Sequence, residues 1–156
     1  MEKACFAAGC FWGVEASFRK LVGVIDTRVG YSGGHLANPS YDAVCSGQTG
    51  HAEAIEVDYD PDIVSYLDLL SHFWQCHNPT TLNRQGPDEG SQYRSVIFYY
   101  SSEQHKCAEQ SKAQQAVNFN EVIVTDIMPA GPFYLAEEYH QRYFEKRGED
   151  GACFIR

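Results

Sequence analysis

Apolar residues along the first hundred positions alternate between runs, period-two stretches and helical spacing. KACFAAG, from Lys3, has the length and apolar content of a short buried strand, and Gly9 ends it. Val14, Phe18 and Leu21 then recur at i, i+4 and i+7, which predicts a helix stopped by Gly23. Residues 24–31 read as a second strand, closed by Ser32, Gly33 and Gly34, and a Gly-, Ser-, Asn- and Pro-rich loop runs on to Gly50. HAEAIEVDYD, from His51, alternates with period two until Asp60-Pro61 breaks it. Ile63, Leu67, Leu70 and Trp74 return to helical spacing. NPTTLNRQGPDEGSQ, from Asn78, is a second long loop, and residues 95–100 make a further strand. Ser102 is the expected N-cap of a helix reaching residue 118, followed by a strand at 122–127. Residues 137–147 are expected to form a last helix with Tyr139 and Tyr143 one turn apart. The segment 148–156, GEDGACFIR, is a glycine-flanked tail expected to be flexible.

Strands and helices alternate without an internal repeat or a linker, so residues 1–156 read as one domain. The expected architecture is an α/β (α+β) two-layer sandwich with a mixed sheet. At 156 residues the chain buries enough surface to fold without a staple. Its formal charge of −9 argues against nucleic acid, which demands clustered Lys and Arg. No apolar run approaches a membrane span, and the N-terminus lacks the pattern of a signal peptide. The expectation is therefore a cytoplasmic protein; a monomer is expected as well, though no feature of the sequence sets the oligomeric state. In a reducing compartment the six cysteines, Cys5, Cys10, Cys45, Cys76, Cys107 and Cys153, are buried, metal-bound or catalytic rather than standing disulfides.

Cys10 falls where the first strand gives way to the first helix. Unpaired N–H groups and the helix dipole there favour the thiolate, the nucleophilic form. Phe11 and Trp12 set two large rings beside the sulfur. The competing reading is an ordinary buried cysteine. Glu53 shares one face of its strand with Ile55, Val57 and Tyr59, whereas Glu56 and Asp58 take the other, solvated face. A carboxyl buried among apolar residues keeps its proton near neutrality and becomes an acid. The alternative is a solvated Glu53 at a frayed strand end. Tyr41, Tyr93 and Asp88 lie in the two long loops, where phenols can donate to a polar oxygen. Cys153, in the tail, is a candidate second thiol for a sulfenic acid, against the alternative of an inert tail cysteine, which the residues alone favour. His72 and Cys76 stand at i, i+4 with His77 adjacent, but no spacing completes a zinc set, and neither metal nor cofactor is expected.

GCFWGVE, from Gly9, resembles the active-site signature of the type A peptide methionine sulfoxide reductases. GYSGG from Gly30, PSYDAVCSGQTGHAEAIEV from Pro39, HNPTTLNRQG from His77, QYRS from Gln92 and EYHQRY from Glu138 resemble further blocks of that family, in order. The resemblance implies a ferredoxin-like fold with Cys10 as nucleophile and Phe11 and Trp12 as the substrate's methyl pocket. It implies Glu53 as the acid on the sulfoxide oxygen, Tyr41 and Tyr93 as donors to that oxygen, and Asp88 as a substrate-backbone contact. It further implies reduction of methionine S-sulfoxide, free or in proteins, to methionine, with Cys153 as the resolving thiol and thioredoxin as reductant. The residues by themselves leave two other classes open: a thiol peroxidase, which needs no methyl pocket, and a redox-sensing or peptide-binding module without turnover.

Overall fold

The computed structural model describes residues 1–148; Cys153 and the rest of the tail lie outside the described residues. The elements in order are β1 (Glu2–Ala8), α1 (Phe11–Arg19), β2 (Val24–Ser32), α2 (Tyr41–Cys45), β3 (Ala52–Tyr59), α3 (Tyr66–Gln75), the short β4 (Arg84–Gln85) and β5 (Asp88–Glu89), β6 (Ser95–Tyr99), α4 (Ser102–Gln115), β7 (Asp126–Pro129), β8 (Phe133–Leu135) and α5 (Tyr143–Lys146). Six strands form a mixed sheet in the order β7-β6-β1-β3-β2-β8; β6 and β7 run parallel, and the other neighbours are antiparallel. The inner four strands with α1 and α3 follow β-α-β-β-α-β, the split βαβ connectivity.

Strand alternation decides the two layers. Ala4, Phe6 and Ala8 of β1, Val29 and Tyr31 of β2, and Ile55, Val57 and Tyr59 of β3 face Phe11, Val14 and Phe18 of α1 and Leu69, Leu70, Phe73 and Trp74 of α3, forming the main core. The opposite face, with Cys5, Ala7, Ala52, Ala54, Val96 and Phe98, packs against Met128, Ala130 and Phe133.

Several expectations are corrected. The long loop from Ser32 contains α2, because Ser40 accepts the N–H of Ala43 and starts a helix there. The second loop contains the β4–β5 hairpin. The helix expected from Ile63 begins at Tyr66, capped by Ser65 and Asp68; Ile63 precedes it and is exposed, Leu67 lies on its exposed face, and Leu69, Leu70, Phe73 and Trp74 are the buried face. Ser101, not Ser102, caps α4, its hydroxyl accepting from Gln104 N–H. Residues 122–125 are not strand: Val124 N–H donates to Pro79 O, and pairing with β6 starts only at Asp126. The last helix is split. Arg142 adopts φ +49, a left-handed conformation that interrupts any helix, so Tyr139 lies in a 3₁₀ turn and Tyr143 opens α5. The outer face of β3 is not open to solvent either. Arg28 on β2 bonds both Glu56 and Asp58, and Tyr100 donates to Glu56, which is buried.

Candidate active site

The strand-to-helix corner after β1 builds the centre of the site. Gly9 takes φ +99, and a Cβ there would come within 2.9 Å of Gln85 Cγ from the β4–β5 hairpin, so glycine is required on both counts. That turn delivers Cys10 as the N-cap residue of α1, with no side-chain capping bond of its own. The nearby N–H groups of Trp12 and Gly13 lower its pKa, as the helix position predicts. Burial outweighs them, and Glu53 and then Asp88 add to it, so the Cys10 thiol is pushed up to about 12. The helix start favours the thiolate, but desolvation and the two carboxyls outweigh it and favour the thiol.

Glu53 lies on the helix-facing side of β3, as its alternation predicts, and is 1% exposed. Its Oε1 accepts the N–H of Phe11 at 3.1 Å. Its Oε2 is buried and bonds no group among the described residues. Desolvation raises its pKa to about 8, against the lowering by Phe11 N–H, and Asp88 raises it further. At neutral pH most of the population carries the proton. Oε2 is the oxygen free to hold it, since Oε1 is occupied as an acceptor.

The phenols converge from separate elements. Tyr41 opens α2 and Tyr93 ends the 3₁₀ turn after β5. Both are raised chiefly by burial, with Glu53 adding to each; Asp88, Cys45 and Cys10 also act on Tyr93. Asp88, on β5, acts on Cys10 and Glu53 alike. The structure thus gathers Cys10, Glu53, Tyr41, Tyr93 and Asp88 around one corner. Phe11 is fully buried beside Tyr31, Tyr41 and His140, and Trp12 is half-buried, stacked on Tyr143 with centroids 3.9 Å apart.

Three participants were missed. Glu137 accepts Tyr31 Oη–H at 2.8 Å and Tyr41 N–H at 2.9 Å, anchoring α2 against the sheet. His140, fully buried, accepts Trp12 Nε1–H on Nδ1 at 2.8 Å. Tyr143 covers the indole. Their sequence signal is a dense polar–aromatic run, EEYHQRY, overlapping the EYHQRY block, and helical periodicity cannot resolve it because the segment is not one helix. Cys45, the last residue of α2, is exposed and pairs with the Tyr41 hydroxyl. Cys5 is buried on the far face of the sheet, and Cys76 donates to Phe73 O. His72 bonds Ser17 Oγ, and His77 bridges Phe73 O and Ser95 Oγ, so both imidazoles serve packing. No cluster able to hold a metal ion occurs among the described residues, and none of their helices is long and apolar enough to cross a membrane.

The family model described as "Peptide methionine sulfoxide reductase" matches residues 2–156. The chain is 63% identical over 147 residues to "Peptide methionine sulfoxide reductase MsrA" of Methanothermobacter thermautotrophicus, covering 93% of this chain and 87% of the relative. The reduced form of Mxr1 from Saccharomyces cerevisiae superposes with a TM-score of 0.90 at 38% identity, covering 94% of this chain and 86% of that one. Mxr1 in complex with Trx2 matches with a TM-score of 0.65 at 27% identity, over 91% and 84% of the two chains.

Proposed function

Because the chain belongs to the peptide methionine sulfoxide reductase family, we propose that Cys10 reduces the S epimer of methionine sulfoxide, free or in proteins, with Glu53 as its proton donor. One observation carries this reading: a buried carboxyl with one unpartnered oxygen stands at the same corner as the only cysteine that heads a helix among aromatic rings, among the described residues.

A sulfoxide oxygen leaves sulfur only when protonated, and the sulfur needs a nucleophile on its open side. The Glu53 Oε2–H protonates that oxygen while the Cys10 sulfur bonds the substrate sulfur and the thiol proton returns to Glu53; the hydroxyl then passes to Cys10 as that S–S bond breaks. The S–O bond to the substrate breaks and a Cys10–S–O bond forms. Methionine leaves, Cys10 is a sulfenic acid, and Glu53 is again protonated. Tyr41 and Tyr93, held un-ionised by burial, are donors for the developing charge on oxygen. Phe11 and Trp12 form the wall for the methyl, a placement in which sulfur–aromatic contact adds to burial. Asp88 takes the substrate's backbone N–H. The raised pKa of Cys10 fits this scheme: thiol and acid begin neutral, and no isolated charge is stored in a dry site.

A second thiol, Cys153, then attacks the sulfenic acid, giving a disulfide and water. A dithiol reductant returns both thiols; the Trx2 complex of the related Mxr1 supports thioredoxin in that role. Turnover of a methyl sulfoxide with dithiothreitol as sole reductant tests the reading. Methionine should form in proportion to dithiol consumed. A protein that consumes peroxide but leaves sulfoxide untouched is a thiol peroxidase, and one that binds without product is a sensing module.

A further inference from the structure

Trp12 is held from two sides by residues more than a hundred positions away. Its Nε1–H donates to His140 Nδ1 at 2.8 Å, and the Tyr143 ring stacks on it with planes 7° apart. Both partners come from the C-terminal segment, which is itself tied down independently of Trp12. The Gln141 side chain accepts from Val29 N–H and donates to Val29 O and Ala136 O, stitching the segment to β2. Glu15, buried on α1, accepts Arg142 N–H at 2.7 Å and so holds Arg142 in its left-handed conformation. That break turns the chain between His140 and Tyr143, and both then reach one indole.

We infer that His140 is the positioning residue for Trp12, fixing the indole that walls the methyl pocket. Its role is directional. An acceptor at Nδ1 places the proton on Nε2, which is buried and bonds nothing among the described residues. A buried donor left without a partner is a cost that packing alone does not explain. A hydrocarbon of similar shape would avoid that cost but would free the indole N–H. Burial also holds the His140 pKa below its ordinary value, with Glu137 opposing, so the acceptor form prevails at neutral pH. The rings of Phe11, Tyr41 and Tyr139 surround the imidazole and fix its plane. His140 touches no reacting atom in this scheme; it acts through Trp12.

The inference rests on the reading of Trp12 as the methyl wall, and the experiment separates the two. Trp12 and Trp74 are the two tryptophans, so a Trp74→Phe background leaves Trp12 as the sole reporter indole. In that background His140→Leu removes the acceptor, and His140→Asn offers an amide oxygen at nearly the position of Nδ1. Losing a buried hydrogen bond to Trp12 should raise KM for a methyl sulfoxide about tenfold with a smaller change in single-turnover kcat. It should also shift the Trp12 emission maximum. His140→Asn should restore both KM and emission towards the starting values. An unchanged KM and emission in His140→Leu overturns the inference. So does equal loss in the Leu and Asn variants together with a common fall in Tm, because that pattern marks plain packing. A Trp12→Phe variant with unaltered KM would instead remove Trp12 from the pocket, and the inference would fall with that reading.

Discussion

Replacing Glu53 by Gln is the most informative single change, because the structure gives it opposite consequences for activity and stability. Gln keeps the shape, and its carbonyl can still accept Phe11 N–H as Oε1 does. Its amide occupies the position of the unpartnered Oε2 and donates a hydrogen bond but cannot transfer a proton. General acid catalysis is typically worth ~10²–10⁴-fold, about 3–5 kcal/mol of barrier at ~1.36 kcal/mol per decade, so single-turnover methionine formation should fall in that range. The wild-type rate should fall as pH rises through about 8, where Glu53 loses its proton, and the variant should lack that limb. Stability runs the other way. Glu53 titrates near 4.5 when unfolded and about 8 when folded, so the folded state binds the extra proton between those values. Its contribution is complete below about 4.5 and is lost as pH rises through 8. At ~1.36 kcal/mol per pH unit the loss is several kcal/mol, on the order of 10 °C in Tm for a chain of this length. Gln has no such loss, so the Tm of the variant relative to wild type should increase between pH 5 and pH 9. The assays are quenched single turnover with a dansylated sulfoxide, and differential scanning fluorimetry across pH. A rate change below about threefold, far under the expected contribution, would refute the acid role. An identical pH dependence of Tm in both proteins would refute the buried, protonated carboxyl.

Three further outcomes are expected. Cys10→Ser should form no methionine in single turnover by quantitative amino-acid analysis; a rate comparable to wild type would reassign the nucleophile. The pocket, with a methyl wall on one side and oxygen donors on the other, should pass only one hand of a pyramidal sulfur, so resolved S and R sulfoxides should differ sharply in rate, and equal rates would contradict the geometry. Cys153→Ser should make its first methionine normally yet stall with thioredoxin, leaving a sulfenic acid that dimedone labels; peptide mapping that finds Cys10 bridged to Cys45, which lies beside Tyr41 at the site, would move the resolving role there.

The sequence by itself determined what depends on neighbours along the chain. A glycine before a helical repeat is enough to put Cys10 at a helix head, and a period of two is enough to put Glu53 on the same face as Ile55, Val57 and Tyr59. Those two positions define the centre of the site, and both were legible. Local pattern also gave the alternation of strands and helices, but not the short pieces. α2, β4, β5 and β8 are each five residues or fewer, and no periodicity develops over that length.

Tertiary structure decided everything that depends on what surrounds a group. The position of Cys10 on its helix argues for a thiolate, yet burial and the Glu53 and Asp88 carboxyls, 43 and 78 positions along the chain, reverse the outcome. Desolvation is a property of the packed volume, and no window of sequence contains it. The same holds for the proposed methyl wall. Trp12 is named by its place beside Cys10, but its orientation is set by His140, 128 residues away. His140 and Tyr143 meet the indole from either side of the left-handed break at Arg142, whose N–H bonds Glu15. The Arg142 N–H donates to the distant Glu15 carboxyl, a part-buried contact that no local window contains, and a backbone N–H inside the protein needs such a partner.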